Sequence, residues 1–427
     1  MTEPLVDRSR PPPGPFRPGF WRSPLRGGRL TAVLGLVLLI GLPIVIITGL
    51  VSNDAYQPGL GGNALGRHLG ALDLYLFGWP TRPVWLYAVT QGLHVTIGLA
   101  LFPVLLAKLW SVIPRLFEWP PVRSPAHALE RLSLALLVGG ALFEFATGIL
   151  NIQYWYAFPF AFVQAHYYGA WVFIGAFVVH ASLKFGTMRR SLATRRAALG
   201  SSGATASGSE LGSVPVPLES PAPSRGTMSR RALFATVGAG SALLLVQAAA
   251  QSVGGPLRPL AFLLPRGRVR PGPLGFAVNK TWAASGIGAR QVTSGWRVEL
   301  VGGHRVSLSR QQLLAMPQHT YDLPVACVEG WSTTQRWSGV RLRDLAALCG
   351  AHRAASVTSI SLERGTYGHA TLGHEQVADE RSLLALRVNG LDLSLDHGFP
   401  ARVISPAVPG VHCTKWVSTM TFHEEPA

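Results

Sequence analysis

The chain has 427 residues, with 38 Lys and Arg against 21 Asp and Glu, and it is 48% hydrophobic but only 14% charged. A soluble chain is nearer one quarter charged, so this composition excludes a disordered polymer and an ordinary soluble enzyme. The formal charge of +17 does not mark a nucleic-acid binder, because the cations cluster beside apolar runs. Three cysteines, at 327, 349 and 413, are too few for a disulfide framework.

Five apolar stretches are long enough to cross a bilayer, which takes about 20 residues. In chain order they are Leu30 to Val51, Val84 to Ala107, Leu132 to Leu150, Phe158 to Leu183 and Ala232 to Val253. The first 29 residues hold six Arg and two acids, and segment 184–231 holds eight cations and two acids. The loop 52–83 balances its charges and 151–157 has none. The positive-inside rule therefore places the N-terminus in the cytoplasm and, after five crossings, the C-terminal part outside.

Segment 197–227 is rich in Ser, Gly, Ala and Pro, the composition of a flexible linker. Ser229, Arg230, Arg231, Leu233 and Phe234 then stand directly before the fifth span. This resembles a twin-arginine export signal inside the chain, or two Arg anchoring a helix end. The expected divisions are a basic tail (1–29), a four-helix membrane domain (30–190), a cytoplasmic linker (191–228), a fifth span (229–254) and an extracytoplasmic domain (270–427).

In that last domain, Val298 to Val301 and Val306 to Leu308 predict a hairpin around Gly302 and Gly303. Leu342 to Leu348 predicts a short helix ended by Gly350. Val357 to Leu362 and Ala401 to Ile404 predict strands. The expected fold is therefore multi-domain, an all-α transmembrane four-helix bundle with a fifth helix, followed by an α+β domain.

Polar groups within a bilayer are costly and usually functional. His94 and His166 fall at matching depths in the second and fourth spans. His166 and His180 are fourteen residues apart, which puts them on one helix face about 21 Å from each other. Such a face suits two stacked haems, each iron taking an imidazole from either side. The bundle resembles the four-helix cytochrome b subunits of membrane formate dehydrogenases and hydrogenases. That resemblance implies haem b at His94 and His166. A second haem at His180 lacks its usual partner, since the first span has no His; His127 would substitute, or His180 is a lone interior residue. Glu144 would carry quinone protons or pair with a nearby hydroxyl. His68 reads as a loop surface residue.

Cys327 ends an apolar stretch, Leu323 to Ala326, and precedes Val328-Glu329-Gly330-Trp331-Ser332. A thiolate so placed suits a soft metal, and by itself the pattern equally suits a buried inert Cys. Four blocks in order change the reading: Phe276 to Lys280; Cys327 with Trp337-Ser338-Gly339-Val340 after it; Val388-Asn389-Gly390 with Asp396 to Arg402; and Pro406, Gly410 and Cys413 to Trp416. Together they resemble the sulfite-oxidase superfamily of molybdopterin enzymes, nearest the periplasmic methionine-sulfoxide reductase catalytic subunits.

The resemblance implies Cys327 as catalytic residue and molybdenum ligand. It implies Asn279, Lys280, His397, Arg402, Cys413, Thr414 and Lys415 as contacts to molybdopterin. Arg402 and Lys415 would bind its phosphate, Asn279 its edge, and Cys413 would act through its backbone. Cys349 reads as core, and Tyr367 stands near the family's substrate-side Tyr. Beside Cys327 lie Glu329 and Trp331 with Arg336 nine positions on, which argues against sulfite and towards a neutral oxide such as a sulfoxide. The expected activity is oxygen-atom transfer at molybdenum, coupled through haem b to quinone or quinol in the surrounding lipid. The alternative is a simple anchor served by a soluble cytochrome. No nucleic-acid partner is expected.

Overall fold

The computed structural model describes residues 11–56, 77–153, 155, 157–160, 162–200, 223–269, 272–365 and 368–424, with side chains of 193–200 left aside. His68, Tyr367 and most of the expected linker lie outside the described residues.

The N-terminal part is helical. Five helices are long and apolar enough to cross a membrane: α1 (Gly28–Asp54), α2 (Leu86–Leu116), α3 (Pro125–Ile152), α4 (Phe162–Gly200) and α5 (Arg230–Val253). At 1.5 Å per residue even the 24 residues of α5 reach about 36 Å, more than the hydrocarbon thickness. The helix ends differ from the apolar stretches at several places, and two of these bear on the expected divisions. The fourth span begins at Phe162 rather than Phe158, because Phe158 to Phe160 lie outside the helix. Helix α4 also runs to Gly200, ten residues into the segment 191–228 expected as linker. Its extension, Ser191-Leu-Ala-Thr-Arg-Arg-Ala-Ala-Leu, is a good helix former without Pro.

The chain forms two compact units that do not follow chain order. The first gathers Met1–Pro43, Gly98–Thr147 and His166–Leu244. In it, Arg26 lies over the rings of Trp110 (4.4 Å) and Trp21 (5.3 Å) and donates to the Trp110 carbonyl. Arg131 donates to the carbonyls of Arg115 and Leu116 at 2.6 Å each, satisfying the end of α2. Arg230 donates to the carbonyls of Pro24, Leu25 and Arg26. The first arginine of the pair at α5 thus clasps the segment before α1.

The second unit gathers Ile44–Ile97, Gly148–Ala165 and Leu245–Ala427. Its C-terminal part is α+β. A short helix α6 (Trp282–Ser285) leads to β1 (Arg297–Val301), β2 (Arg305–Ser309), α7 (Arg310–Ala315), β3 (His319–Ala326), β4 (Ser332–Arg341) and α8 (Leu342–Leu348). Then come β5 (Ser356–Ser361), β6 (His369–Gly373), α9 (His374–Ala378), β7 (Leu383–Val388), β8 (Leu391–Asp392), β9 (Arg402–Ile404) and β10 (Val417–His423). Among the described residues there are two five-stranded sheets. One has the order β2-β1-β10-β5-β6, with β1 parallel to β10. The other runs β3-β4-β7-β8, with β9 also paired to β7.

Local chemistry explains the elements. Leu383 to Leu386 are wholly buried, the continuous apolar run of a strand covered on both faces. Ser309 and Gln312 form a reciprocal capping box at the start of α7. Asn389 and Gly390 both take positive φ, 53° and 80°, as a tight turn between β7 and β8 requires. The expected hairpin, the 342–348 helix and the two expected strands are all present, the latter shifted by a residue at their starts. Strands β4, β6, β7, β8 and β10 were not expected. β4 reads Ser-Thr-Thr-Gln-Arg-Trp-Ser-Gly-Val-Arg, too polar to announce a strand by alternation.

The core of this unit also takes in residues from before the α+β domain. Tyr56, Trp79 and Tyr87 are buried in the same cluster as Leu323, Trp337 and Leu384. The Trp79 indole donates to the Ala407 carbonyl at 2.7 Å, and Gln376 donates to the Trp79 carbonyl at 2.9 Å.

Candidate active site

Strand β3 alternates partly covered and exposed positions at its start, and its last residues, Val325 and Ala326, are both interior. The next residue, Cys327, is 2% exposed and begins a tight loop. The loop is closed by Gly330 N–H to the Cys327 carbonyl and by Cys327 N–H to the Trp331 carbonyl, both 2.9 Å. Gly330 has φ +86°, a conformation that favours glycine. The thiol donates to Glu329 Oε1 at 3.2 Å. Burial pushes the Cys327 thiol well above its usual range, and the Glu329 carboxylate beside it pushes the same way. Arg266 faces the other carboxylate oxygen at 3.4 Å.

Cys327 opens into a pocket lined also by Ala277, Asn279, Trp331, His397, Arg402 and Lys415. Residues far apart in sequence therefore meet there, and all four of the sequence blocks supply them. Arg402 leaves β9 into the interior, where its guanidinium donates to the carbonyls of Cys413 (3.2 Å) and His397 (3.5 Å). Lys415 donates to the carbonyls of Lys280 (2.6 Å) and Asp396 (2.9 Å). Both cations are buried, and among the described residues neither makes an ion pair with a carboxylate. Burial lowers both pKa values, and the Arg402 guanidinium lowers that of Lys415 further. Two uncompensated cations at one pocket are costly unless an anion joins them. The buried Trp331 indole N–H and Thr414 hydroxyl, without partners among the described residues, face the same economy of polar groups.

The other expected residues have definite places. His397 stacks on Phe276 with ring centres 3.7 Å apart, and its Nε2 bonds the Leu274 carbonyl at 2.9 Å. Burial lowers its pKa to about 4, so it is neutral at neutral pH. Asn279 lines the pocket and accepts from Arg266 through its carbonyl. Lys280 is already paired with Glu363, which leaves it less to offer a phosphate. Cys413 is buried and holds Arg402 through its carbonyl. Cys349 is core, its thiol bonded to the Ala346 carbonyl. Arg336 is exposed and paired with Asp322. Sequence reasoning missed Arg266 and Thr333, whose neighbourhoods carry no motif.

Within the first unit, His166 Nδ1 lies 2.9 Å from the Thr147 hydroxyl and 3.1 Å from Glu144 Oε2. The Glu144 carboxylate thus meets a histidine, and the Thr147 hydroxyl reaches Glu144 only at its backbone carbonyl. In the second unit, His94 Nδ1 bonds the Val45 carbonyl at 2.9 Å, and the ring packs against Gly49 so closely that a Cβ there would lie 2.8 Å away. His180 is half-buried on α4. His127 Nδ1 accepts from the Arg123 N–H at 3.2 Å, so its lone pair is committed to the start of α3.

A loop-borne buried thiol and two buried cations without carboxylate partners among the described residues thus line one pocket. Residues 287–427 match the family model of the oxidoreductase molybdopterin-binding domain. The C-terminal domain belongs to the molybdopterin-dependent oxidoreductases of the sulfite oxidase family. The chain is 31% identical over 133 residues to the uncharacterized oxidoreductase YuiH of Bacillus subtilis, covering 30% of this chain and 66% of that one. It is 31% identical over 151 residues to mitochondrial sulfite oxidase of Mus musculus, covering 29% and 28%. With the nitrate reductase [NAD(P)H] of Hordeum vulgare it shares 28% over 192 residues, covering 37% and 21%. The chain thus spans less than two thirds of each relative's length. The family match leaves the five apolar helices outside it.

Proposed function

We propose that the chain is a membrane-bound oxidoreductase that transfers an oxygen atom at a Cys-ligated molybdenum outside the membrane, and exchanges the electrons with quinone through haem b. One observation carries the catalytic half: Arg402 and Lys415 stand buried without carboxylate partners at the pocket that Cys327 enters. A pterin phosphate would supply the missing negative charge, with the guanidinium as fork and the ammonium as point charge. Cys327 would ligate the metal, whose positive charge replaces the thiol proton that Glu329 now accepts. Asn279, Thr414 and the Cys413 backbone would hold the pterin, and neutral His397 would shape the wall through Phe276. When bound, the cofactor supplies two-electron oxygen-atom chemistry, and the protein supplies placement and electrostatics.

The substrate class is a small neutral oxide, such as a sulfoxide, in preference to sulfite. Glu329 is buried beside the thiol, and Arg336 is engaged with Asp322 away from it. A buried carboxylate there disfavours an anionic substrate.

The membrane half rests on the two histidines. A ring whose Nδ1 donates to a carbonyl or a carboxylate carries its lone pair on Nε2, the orientation that outer partners impose on a metal-bound imidazole. His94 with Val45, and His166 with Glu144 and Thr147, have such partners. The second haem, at His180, is the weaker part, because His127 is used at the start of α3. Arg230 and Arg231 would direct export of the cofactor-loaded domain before Arg230 takes up its carbonyl contacts.

The test is elemental analysis with a pyridine haemochrome spectrum on detergent-purified full-length protein. Molybdenum near one per chain with one or two haem b supports the proposal. Molybdenum without haem reduces the helices to an anchor. Absence of molybdenum, in protein from a host competent for the cofactor, overturns the catalytic half.

A further inference from the structure

A glutamine in an apolar span is costly, so its partner is informative. Gln91 is 6% exposed on α2, and its Nε2 donates to the Val328 carbonyl at 2.6 Å. Val328 follows Cys327 directly, in the loop that presents the thiol. Four residues along the same helix face, Val95 meets that loop again. A Cβ at Gly330 would lie 2.7 Å from the Val95 Cβ, so the backbone approaches as closely as glycine permits. The loop is therefore pinned at two points about one turn apart. His94 stands beside them, three residues and about 4.5 Å of rise beyond Gln91.

Holding the domain in place does not need this glutamine. Trp79 on the Ala407 carbonyl, Arg381 on the Thr81 carbonyl and Arg258 on the Ser332 carbonyl, at 2.7, 3.2 and 2.7 Å, already join the α+β domain to segments before it. None of those contacts is made to the residue adjoining the thiol. The Gln91 amide reaches Cys327 through one hydrogen bond and the backbone of two residues.

We propose that Gln91 is a positioning residue that fixes the Cys327 loop against the His94 helix, and that this contact is the route by which electrons pass between the haem and molybdenum sites. The inference rests on the function proposed above. In the reductase direction a quinol becomes a quinone, releasing two electrons and two protons. With both groups bound, the haem and molybdenum would relay these two electrons one at a time, and the Gln91 contact would hold the Cys327 loop in place for that transfer. The oxide substrate takes both electrons and two protons, losing its oxygen as water.

The experiment uses the full chain carrying both groups, as wild type, Gln91→Met and Val95→Ala. Gln91→Met keeps the volume and removes the donor. Molybdenum and haem content are measured first. A flash-excited flavin then reduces the haem without any substrate, and transfer to molybdenum is timed; the Mo(V) electron paramagnetic resonance spectrum reports the thiolate geometry. We expect unchanged metal contents, a shifted spectrum and transfer slowed roughly tenfold or more, since displacements of about 1 Å cost rates of this order. Wild-type rate and spectrum in Gln91→Met overturn the proposal. If Gln91→Met does not fold, Val95→Ala decides by the same two readouts. If wild type holds molybdenum but no haem, the membrane half of the function fails, and an unchanged spectrum in Gln91→Met then overturns the positioning role separately.

Discussion

Polar groups are buried in two different ways in this molecule. Among the helices, the Glu144 carboxylate meets His166 Nδ1 at 3.1 Å, and the Thr147 hydroxyl meets the same ring nitrogen at 2.9 Å. In the α+β domain, Arg402 and Lys415 meet backbone carbonyls and the rings of Trp337 and Trp416 but no carboxylate among the described residues, and both sit at one pocket. The difference lies in the company each group keeps: Glu144 and His166 are matched to each other, whereas Arg402 and Lys415 stand together at one pocket without a carboxylate partner among the described residues. Under the proposed function, the unmatched pair at the pocket wall would select an anion.

The strongest way to break this contrast is at the thiol. Cys327→Ser should abolish molybdenum retention and reduce oxygen-atom transfer to background, read by elemental analysis and a reduced-viologen assay with a sulfoxide. The serine hydroxyl is a hard, weakly acidic ligand where a soft thiolate is required. Retained metal with full activity would remove Cys327 from the site.

The next test acts on the cations themselves. Arg402→Met or Lys415→Met should weaken cofactor retention roughly tenfold to a hundredfold, the scale of a lost charge-assisted hydrogen bond. The same variants should leave the cofactor-free protein no less stable, because a buried uncompensated charge has gone. Thermal midpoints with and without cofactor read both effects. A midpoint that falls equally in both forms would mean the cations serve the fold rather than an anion.

How much of this was legible beforehand differs between the regions for physical reasons. Spans announce themselves by unbroken apolar length, so all five helices were readable, and only their ends moved. Local signals also fixed the hairpin at Gly302 and Gly303 and the helix ended by Gly350. β4 escaped because its buried positions, Thr333, Trp337, Gly339 and Val340, follow no apolar alternation. The pocket was visible only through the order of its blocks, since Asn279, Cys327, Arg402 and Lys415 meet by topology and not by spacing. The contact of Gln91 with Val328 had no signal at all: a lone glutamine in a span carries no record of a carbonyl 237 residues away.

A smaller effect follows from His397. Its folded-state pKa is about 4 against an ordinary 6.5, so the folded domain resists its protonation. The unfolded chain then binds more protons between those values. Stability should therefore be full above about pH 6.5 and fall as pH drops towards 4, by up to about 3 kcal/mol. Denaturant unfolding of wild type and His397→Gln across that window measures it; the variant should show a flatter profile. Equal slopes would mean that the stack on Phe276 does not keep the ring from its proton.

The smallest effect sharpens the contrast by separating two buried cysteines of the same pocket region. Cys327 offers its side chain; Cys413 offers its carbonyl, which accepts from Arg402 at 3.2 Å. Its thiol is buried, and burial raises its pKa, so it stays a neutral thiol at neutral pH. A carbonyl survives a side-chain change when the backbone holds, and here the loop is fixed on both sides: Cys413 N–H donates to the Gly410 carbonyl, and Val403 N–H to the Thr414 carbonyl. Cys413→Ala removes one sulfur and leaves these bonds in place. Molybdenum content should stay at the wild-type level and activity within about twofold, with a stability loss of roughly 1 kcal/mol from the small cavity. Loss of metal in Cys413→Ala would instead give the second thiol a direct part in the centre, and the division of labour between side chain and backbone would fall.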